Sequence, residues 1–234
     1  MSENNVTLLY LGSKAIKNYI ARHPIVWANS ELAKRGGIGD KAGMPPTPMV
    51  YEFFSLVAQK QGLFTQEEYK DYCFEQWKTW DKLAHQDMRE GITAKLYRNV
   101  YPSMINTLHA WSLLVEAGWF DRCIIDTATD ALSKHDLIVS RSGRPPIALD
   151  LYIQTERAVV DRQYKLAHRK SSRDCAYQSL DVPLPINDRK KEHPGNMRWY
   201  CLRDFAHVHS SYYKDDMLPD IPCTCGCHSE GKSA

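Results

Sequence analysis

The chain has 234 residues, a formal net charge of +2, and apolar and charged shares of 43% and 25%. That length buries one sizeable core, or one core with a small appendage, and so small a net charge does not by itself argue for nucleic-acid binding. No apolar run approaches the roughly 20 residues that span a bilayer, and MSENNVTLLYLGSKAIKNY has no basic stretch ahead of its apolar one, so a cytoplasmic protein without a membrane partner is expected.

Val6 to Tyr19 reads as a short strand or helix, and Pro24 interrupts the chain soon after it. Arg35 to Pro48 is loop material, with four glycines and three prolines. Its GGIGDKAG lacks the Gly-Lys-Ser/Thr ending of a phosphate-binding loop and has no apolar strand leading into it, so a connector is expected. From Met49 the residues Val50, Phe53, Phe54 and Val57 recur at helical spacing until Gly62. Thr65 and Glu68 then form a capping-box pattern, which starts a helix expected to run to about Arg89. Its Tyr69, Tyr72, Cys73, Trp77, Trp80 and Leu83 read as a packing stripe in preference to a base-stacking platform. Gly91 and Pro102 punctuate the next section. A buried helix is expected from about Ser103 to Ala117, closed by Gly118.

Three strand patterns come next, at Cys123 to Thr127, Asp136 to Ser140 and Ile147 to Thr155. Arg141-Ser-Gly-Arg144 is a hairpin turn, because Gly143 can take a positive φ. In the third strand Ile147, Leu149, Leu151 and Ile153 share the face that meets a core, while Ala148, Asp150, Tyr152 and Gln154 share the other. A helix is expected over ERAVVDRQYKLAHRK. Beyond Ser171 the pattern predicts an edge strand at LDVPLPIN, a polar loop at DRKKEHPGN, a further strand at MRWYCLRDF and an irregular tail. The organisation expected is a mainly helical region over 1–98, an α/β core over 99–215 and a Cys-rich flexible tail over 216–234.

Two aspartates carry the chemistry. Asp136 opens the second strand and Asp150 lies midway along its hairpin partner, so the pair can approach one another across the ladder. Mg²⁺ or Mn²⁺ takes a few carboxylate oxygens from protein and keeps water in its other positions, which suits such a pair. The competing structural readings are a strand-capping role for Asp136 and an ion pair between Asp150 and an arginine of the next helix. Asp126 and Asp130 are alternative acids. The segment from Arg157 to Arg173 concentrates Arg157, Arg162, Lys165, Arg169, Lys170 and Arg173 against Asp161, a pattern that fits phosphate contacts or a solvated helix face.

Helix, Gly-Trp, strand, Asp-Leu-Ile-Val, turn, strand with a mid-strand acid, then helix: this order resembles the restriction-endonuclease-like superfamily, the PD-(D/E)XK nucleases, over less than a third of the chain. The resemblance implies a small mixed central sheet flanked by helices, and Mg²⁺-dependent hydrolysis of DNA phosphodiesters as an endonuclease. It assigns Asp136 and Asp150 to the metal, Gln154 or Lys165 to orienting water, and Arg162, Arg169 and Lys170 to phosphate. The chain departs from the pattern at His135, where the family has Pro, and at Tyr152, where it has Lys. The acid that the family carries on its first helix finds only Glu116, late on the helix, or His109 earlier.

Cys73, Cys123, Cys175 and Cys201 are scattered in the manner of reduced thiols packed as small hydrophobes. Cys223, Cys225, Cys227 and His228 form a donor set for Zn²⁺, to which Cys201, His207 and His209 lie close in sequence; a reactive tail without metal is the competing reading. The functional expectation is a metal-dependent DNA endonuclease, with a second copy of the chain as an optional partner. The alternatives are an inactive nuclease-like module that binds nucleic acid or protein, and an unrelated α/β adaptor with structural carboxylates.

Overall fold

The computed structural model describes residues 11–26, 43–125, 136–154, 178–185, 197 and 199–212, the side chains of Ile153, Gln154, Pro185 and Tyr212 excepted. The first described element is a helix, α1 (Ser13–Arg22), whose Ile16 and Ile20 are one turn apart and fully buried. Its first N–H, on Ser13, is satisfied by Glu116, which lies 103 residues further along the chain and accepts at 2.9 Å. Helix α2 (Met49–Lys60) buries Phe53, Phe54, Leu56 and Val57, and stops where Gln61 turns left-handed at φ 50°.

The Thr65–Glu68 box is formed. Glu68 N–H donates to the Thr65 hydroxyl at 3.2 Å, and Thr65 N–H donates to the Glu68 carboxylate at 2.7 Å, opening α3 (Gln66–Gln76). The single helix expected to reach Arg89 is instead broken into α3, a 3₁₀ turn at Asp81–Ala84 and α4 (Gln86–Lys95). The two tryptophans explain the break. The fully buried Trp77 donates its indole N–H to the Thr47 hydroxyl at 2.9 Å, and Trp80 N–H folds back to the Trp77 carbonyl at 2.8 Å. Burial of these rings outweighs helix propensity, which is worth a few tenths of a kcal/mol per residue.

Gly91 lies inside α4 and breaks nothing. A π-helical turn at Leu96–Val100 joins α4 to α5 (Tyr101–Ala117), with Pro102 in the first turn of α5, where no N–H is needed. The Tyr97 carbonyl in this π turn accepts from the Gln66 amide at 3.0 Å. As expected, α5 is largely buried, and it ends at Gly118, whose φ of 63° an alanine would adopt only with strain.

Among the described residues the sheet has four strands in the order β1 (Arg122–Ile124), β2 (Leu137–Ser140), β3 (Ile147–Gln154), β4 (Gln178–Pro185). β1–β2 and β2–β3 are antiparallel and β3–β4 is parallel, so the chain is a mixed α/β protein. Gly143, at φ 77°, makes the β2–β3 turn. Pro183 and Pro185 lack the N–H that a central strand requires, and among the described strands β4 is an edge. The strand expected at MRWYCLRDF is overturned: Leu202–Phe205 is a 3₁₀ turn that leads into α6 (Ala206–Tyr212), in place of the start of an irregular tail. Asp204 is the cause. Its carboxylate accepts from Cys201 N–H at 2.7 Å, which caps a helix start in place of a strand ladder.

Two hydrophobic clusters result. The first joins α1, α2 and α3 to Ile105 and Leu108 of α5, and includes Met197 and Trp199. The second joins Ala110 and Leu114 of the same helix to Leu137, Val139, Ile147, Leu149, Val182 and Leu184 on one face of the sheet, with Tyr200, Phe205 and Val208. The expected core-facing set of β3 is therefore correct for Ile147, Leu149 and Leu151. No helix among the described residues is long and apolar enough to cross a membrane.

Candidate active site

The second face of the sheet is set by register. The ladder pairs Ile138 with Ala148 and ends at Leu137 opposite Leu149. Asp136, one residue before β2, is bonded to the two residues of β3 that flank Asp150, Leu149 and Leu151. On the other side of β3 the parallel register pairs Ala148 with Ser179 and Asp150 with Asp181. Asp150 and Asp181 thus stand side by side on neighbouring strands, with Asp136 just before the start of β2.

Each has a defined surrounding. Asp136 N–H donates to the Leu149 carbonyl at 3.0 Å, and its carboxylate accepts from Leu151 N–H at 2.6 Å. That oxygen extends the ladder beyond the end of β2, a structural role that also fixes where the carboxylate points. Asp150 is 2% exposed and accepts a hydrogen bond from the Ser179 hydroxyl. A carboxylate buried this deeply between Leu149 and Leu151 is costly unless it is held by donors or a cation. Tyr200 closes the carboxyl ends of β3 and β4, donating to the Val182 carbonyl at 3.1 Å. Burial drives its phenol well above the ordinary tyrosine range, and the charges of Asp136 and Asp204 push it the same way. It is therefore a neutral donor at any physiological pH. At the far side of β4, the His207 ring meets the Asp181 carbonyl at 2.8 Å and ties the C-terminal helical segment to the sheet edge.

Asp136 precedes β2 by one residue and is held against β3 through Leu149 and Leu151, on either side of Asp150. Gln154 is the last residue of β3, with its backbone opposite Pro185. Lys165, Arg162, Arg169 and Lys170, together with the helix expected there, lie outside the described residues, as do Asp126, Asp130, Cys175, residues 35–42 and 188–196 for which loops were expected, and the tail with Cys223, Cys225, Cys227 and His228. Tyr152, in the family's lysine position, is half-buried. Glu116 is exposed, and both of its oxygens go to Ser13, so it caps α1. His109 is fully buried against Trp199, ring centroids 4.8 Å apart. Burial, reinforced by the charge of Lys17, pushes its imidazole down to about 3, so it is neutral.

Sequence reasoning missed Ser179 and Asp181. Their signal is the alternation in QSLDVPLP, which sends Ser179 and Asp181 to one face while Leu180, Val182 and Leu184 join the second core. Among the described residues, no group of three or more His, Cys, Asp or Glu side chains could hold a metal ion. A pair of carboxylates remains, and their hard oxygens fit Mg²⁺ or Mn²⁺, which take one or two protein carboxylates and complete the shell with water and substrate oxygens. Protein-family models, curated proteins and solved structures contain no match to this chain.

Proposed function

We propose that the protein is a metal-dependent DNA endonuclease with a restriction-endonuclease-like core. One observation carries the reading: Asp136 is bonded to Leu149 and Leu151, the residues that flank Asp150, and Asp150 is buried in an otherwise apolar strand. The chain order also supports it, with a helix ahead of three antiparallel strands and a fourth strand parallel to the third.

In this reading Asp136 and Asp150 hold Mg²⁺ or Mn²⁺. When bound, such an ion supplies Lewis-acid stabilisation of the phosphoryl oxygens and a more acidic water. Ser179 keeps the Asp150 carboxylate aimed, and the Leu151 N–H does the same for Asp136. Gln154 or Lys165 orients the attacking water, while Arg162, Arg169 and Lys170 neutralise flanking phosphates. Water adds to phosphorus and the bond to the leaving sugar oxygen breaks, with a proton delivered to that oxygen. The products are a phosphate monoester and a free hydroxyl.

Incubation of supercoiled plasmid with the protein and Mg²⁺ or Mn²⁺ tests this. Nicked and linear products are expected, with the rate falling at least a hundredfold in Asp150→Ala. Cleavage that survives Asp150→Ala unchanged, or no cleavage with either ion, overturns it. A second reading, a nuclease-like module that binds nucleic acid without cutting it, is favoured by Tyr152 in the lysine position and by the structural bond that Asp136 makes to Leu151. DNA binding without cleavage selects that reading.

A further inference from the structure

The helix α5 sends Ile105 and Leu108 into the first core and Ala110 and Leu114 into the second. At 3.6 residues per turn, Asn106 and His109 fall between those two faces, and their spacing of three makes them neighbours on the helix surface. The seam they line is closed. His109 is fully buried, Asn106 keeps 5% of its surface, and the Trp199 ring lies 4.8 Å from the imidazole. Among the described residues the side-chain oxygen of Asn106 and both ring nitrogens of His109 meet no hydrogen-bonding group of the protein. The buried Ser112 on the same helix differs, because its hydroxyl donates to the Leu108 carbonyl at 2.9 Å.

We propose that Asn106 and His109 share a buried water molecule, an internal hydration site on the seam between the two cores. A neutral imidazole donates from one ring nitrogen and accepts at the other, and the Asn106 oxygen only accepts. Water is the smallest ligand that accepts from an imidazole N–H and donates to an amide oxygen at once. A buried polar atom left unpaired costs roughly 5- to 150-fold in the folding equilibrium. Holding one water in place costs at most about 30-fold and satisfies two such atoms together. Polar groups on a shared helix face are the surroundings in which buried water is kept, whereas an apolar guest would leave all three atoms unpaired. A cation is disfavoured, because the charge of Lys17 already reaches the ring. The site stands apart from the nuclease reading, since none of the aspartates of the sheet takes part in it.

The test is a rotating-frame NMR experiment at neutral pH on the full chain labelled with ¹⁵N-histidine, the His109 ring N–H being assigned by its loss in His109→Leu. That N–H should show a cross-peak to water of dipolar sign, opposite to the sign that proton exchange produces. Asn106→Leu removes one of the two anchors and should abolish the cross-peak while the near-UV circular dichroism stays as in the wild type. A crystal structure of the wild-type chain gives a reading that needs no variant. It should show one water within about 2.7–3.2 Å of both the Asn106 oxygen and a ring nitrogen of His109. A wild-type ring N–H without the dipolar cross-peak, or a cross-peak unchanged in folded Asn106→Leu, overturns the proposal. Crystal density for a direct bond from either residue to another protein group, for an ion, or for no water at the seam overturns it as well.

Discussion

In the helical core Phe53 stands among Phe54, Phe64, Tyr69 and Tyr101, with ring centroids 5.0 to 5.9 Å apart, and the two tyrosine hydroxyls are neutral donors. Tyr69 donates to the Met49 carbonyl at 2.6 Å and Tyr101 to the Phe64 carbonyl at 2.5 Å. Across the sheet, Asp150 is as buried as those rings and carries a carboxylate. Neutral donors that meet carbonyls contribute about 1 kcal/mol each to stability, whereas a buried charge costs several kcal/mol before its partners offset it. The first region has a buried carboxylate too, Glu52, which accepts from the Thr47 hydroxyl at the start of α2. The second sets its carboxylate mid-strand, between Leu149 and Leu151 of the second core, and that placement is the physical basis for looking to the sheet for function.

The largest effect expected is in the helical core. Phe53→Ala should destabilise the protein by about 3–5 kcal/mol, through lost burial and the cavity left among four aromatic neighbours. Thermal unfolding should then shift down by roughly 10 °C, taking about 2–4 °C per kcal/mol for a chain of this size. A shift under about 2 °C would mean that this cluster repacks freely and that the two regions differ less than their contacts imply.

His109 lies on the seam, between Leu108 of the first core and Ala110 of the second, and sharpens the comparison through pH. Both of its ring nitrogens are buried without a hydrogen-bond partner, and its imidazole is held down to about 3 by burial and then by Lys17. The unfolded chain titrates at about 6.5. Between these values the unfolded state binds the extra proton, so the contribution of His109 is complete above pH 6.5, is lost as pH falls and levels off near pH 3. At pH 5 the loss is about 2 kcal/mol. Denaturant titrations should show it in the wild type, while His109→Leu should flatten the profile between pH 6.5 and 5 and match or exceed wild-type stability at pH 7. An equally steep profile in the variant would place the titration elsewhere.

How far the sequence carried these distinctions depends on range. The Thr65–Glu68 cap, the Gly118 stop and the RSGR turn are local, and each was legible because its donors and its φ angles lie within four residues. Trp77 and Trp80 misled the reading of α3 because their partners, Thr47 and the α2 core, are some 30 residues away in sequence. The aromatic content of MRWYC suggested a strand, while Asp204, three residues after Cys201, was the overlooked sign of a helix start. The approach of Asp136 to β3 beside Asp150 followed from a hairpin. Asp181 beside Asp150 did not, because a parallel pairing is fixed by a crossover whose register no local pattern records.

The smallest effect isolates the charge itself. Ser179 donates to a carboxylate, a bond worth about 1.5–3 kcal/mol, so Ser179→Ala should cost about 2 kcal/mol by leaving a buried charge one donor short. Asp150→Asn keeps the shape and removes the charge, and should change stability by less than about 1 kcal/mol in either direction, because neutralising a buried ionised group is often neutral or favourable. In the Asp150→Asn background, Ser179→Ala should then cost only about 0.5–1 kcal/mol, the worth of a neutral hydrogen bond. The coupling, about 1 kcal/mol by double-mutant cycle, measures how much of the Ser179 bond answers to charge. If the cycle closes with no coupling and Asp150→Asn alone unfolds the protein, Asp150 is a stabilising residue like those around Phe53, and the difference between the two halves disappears.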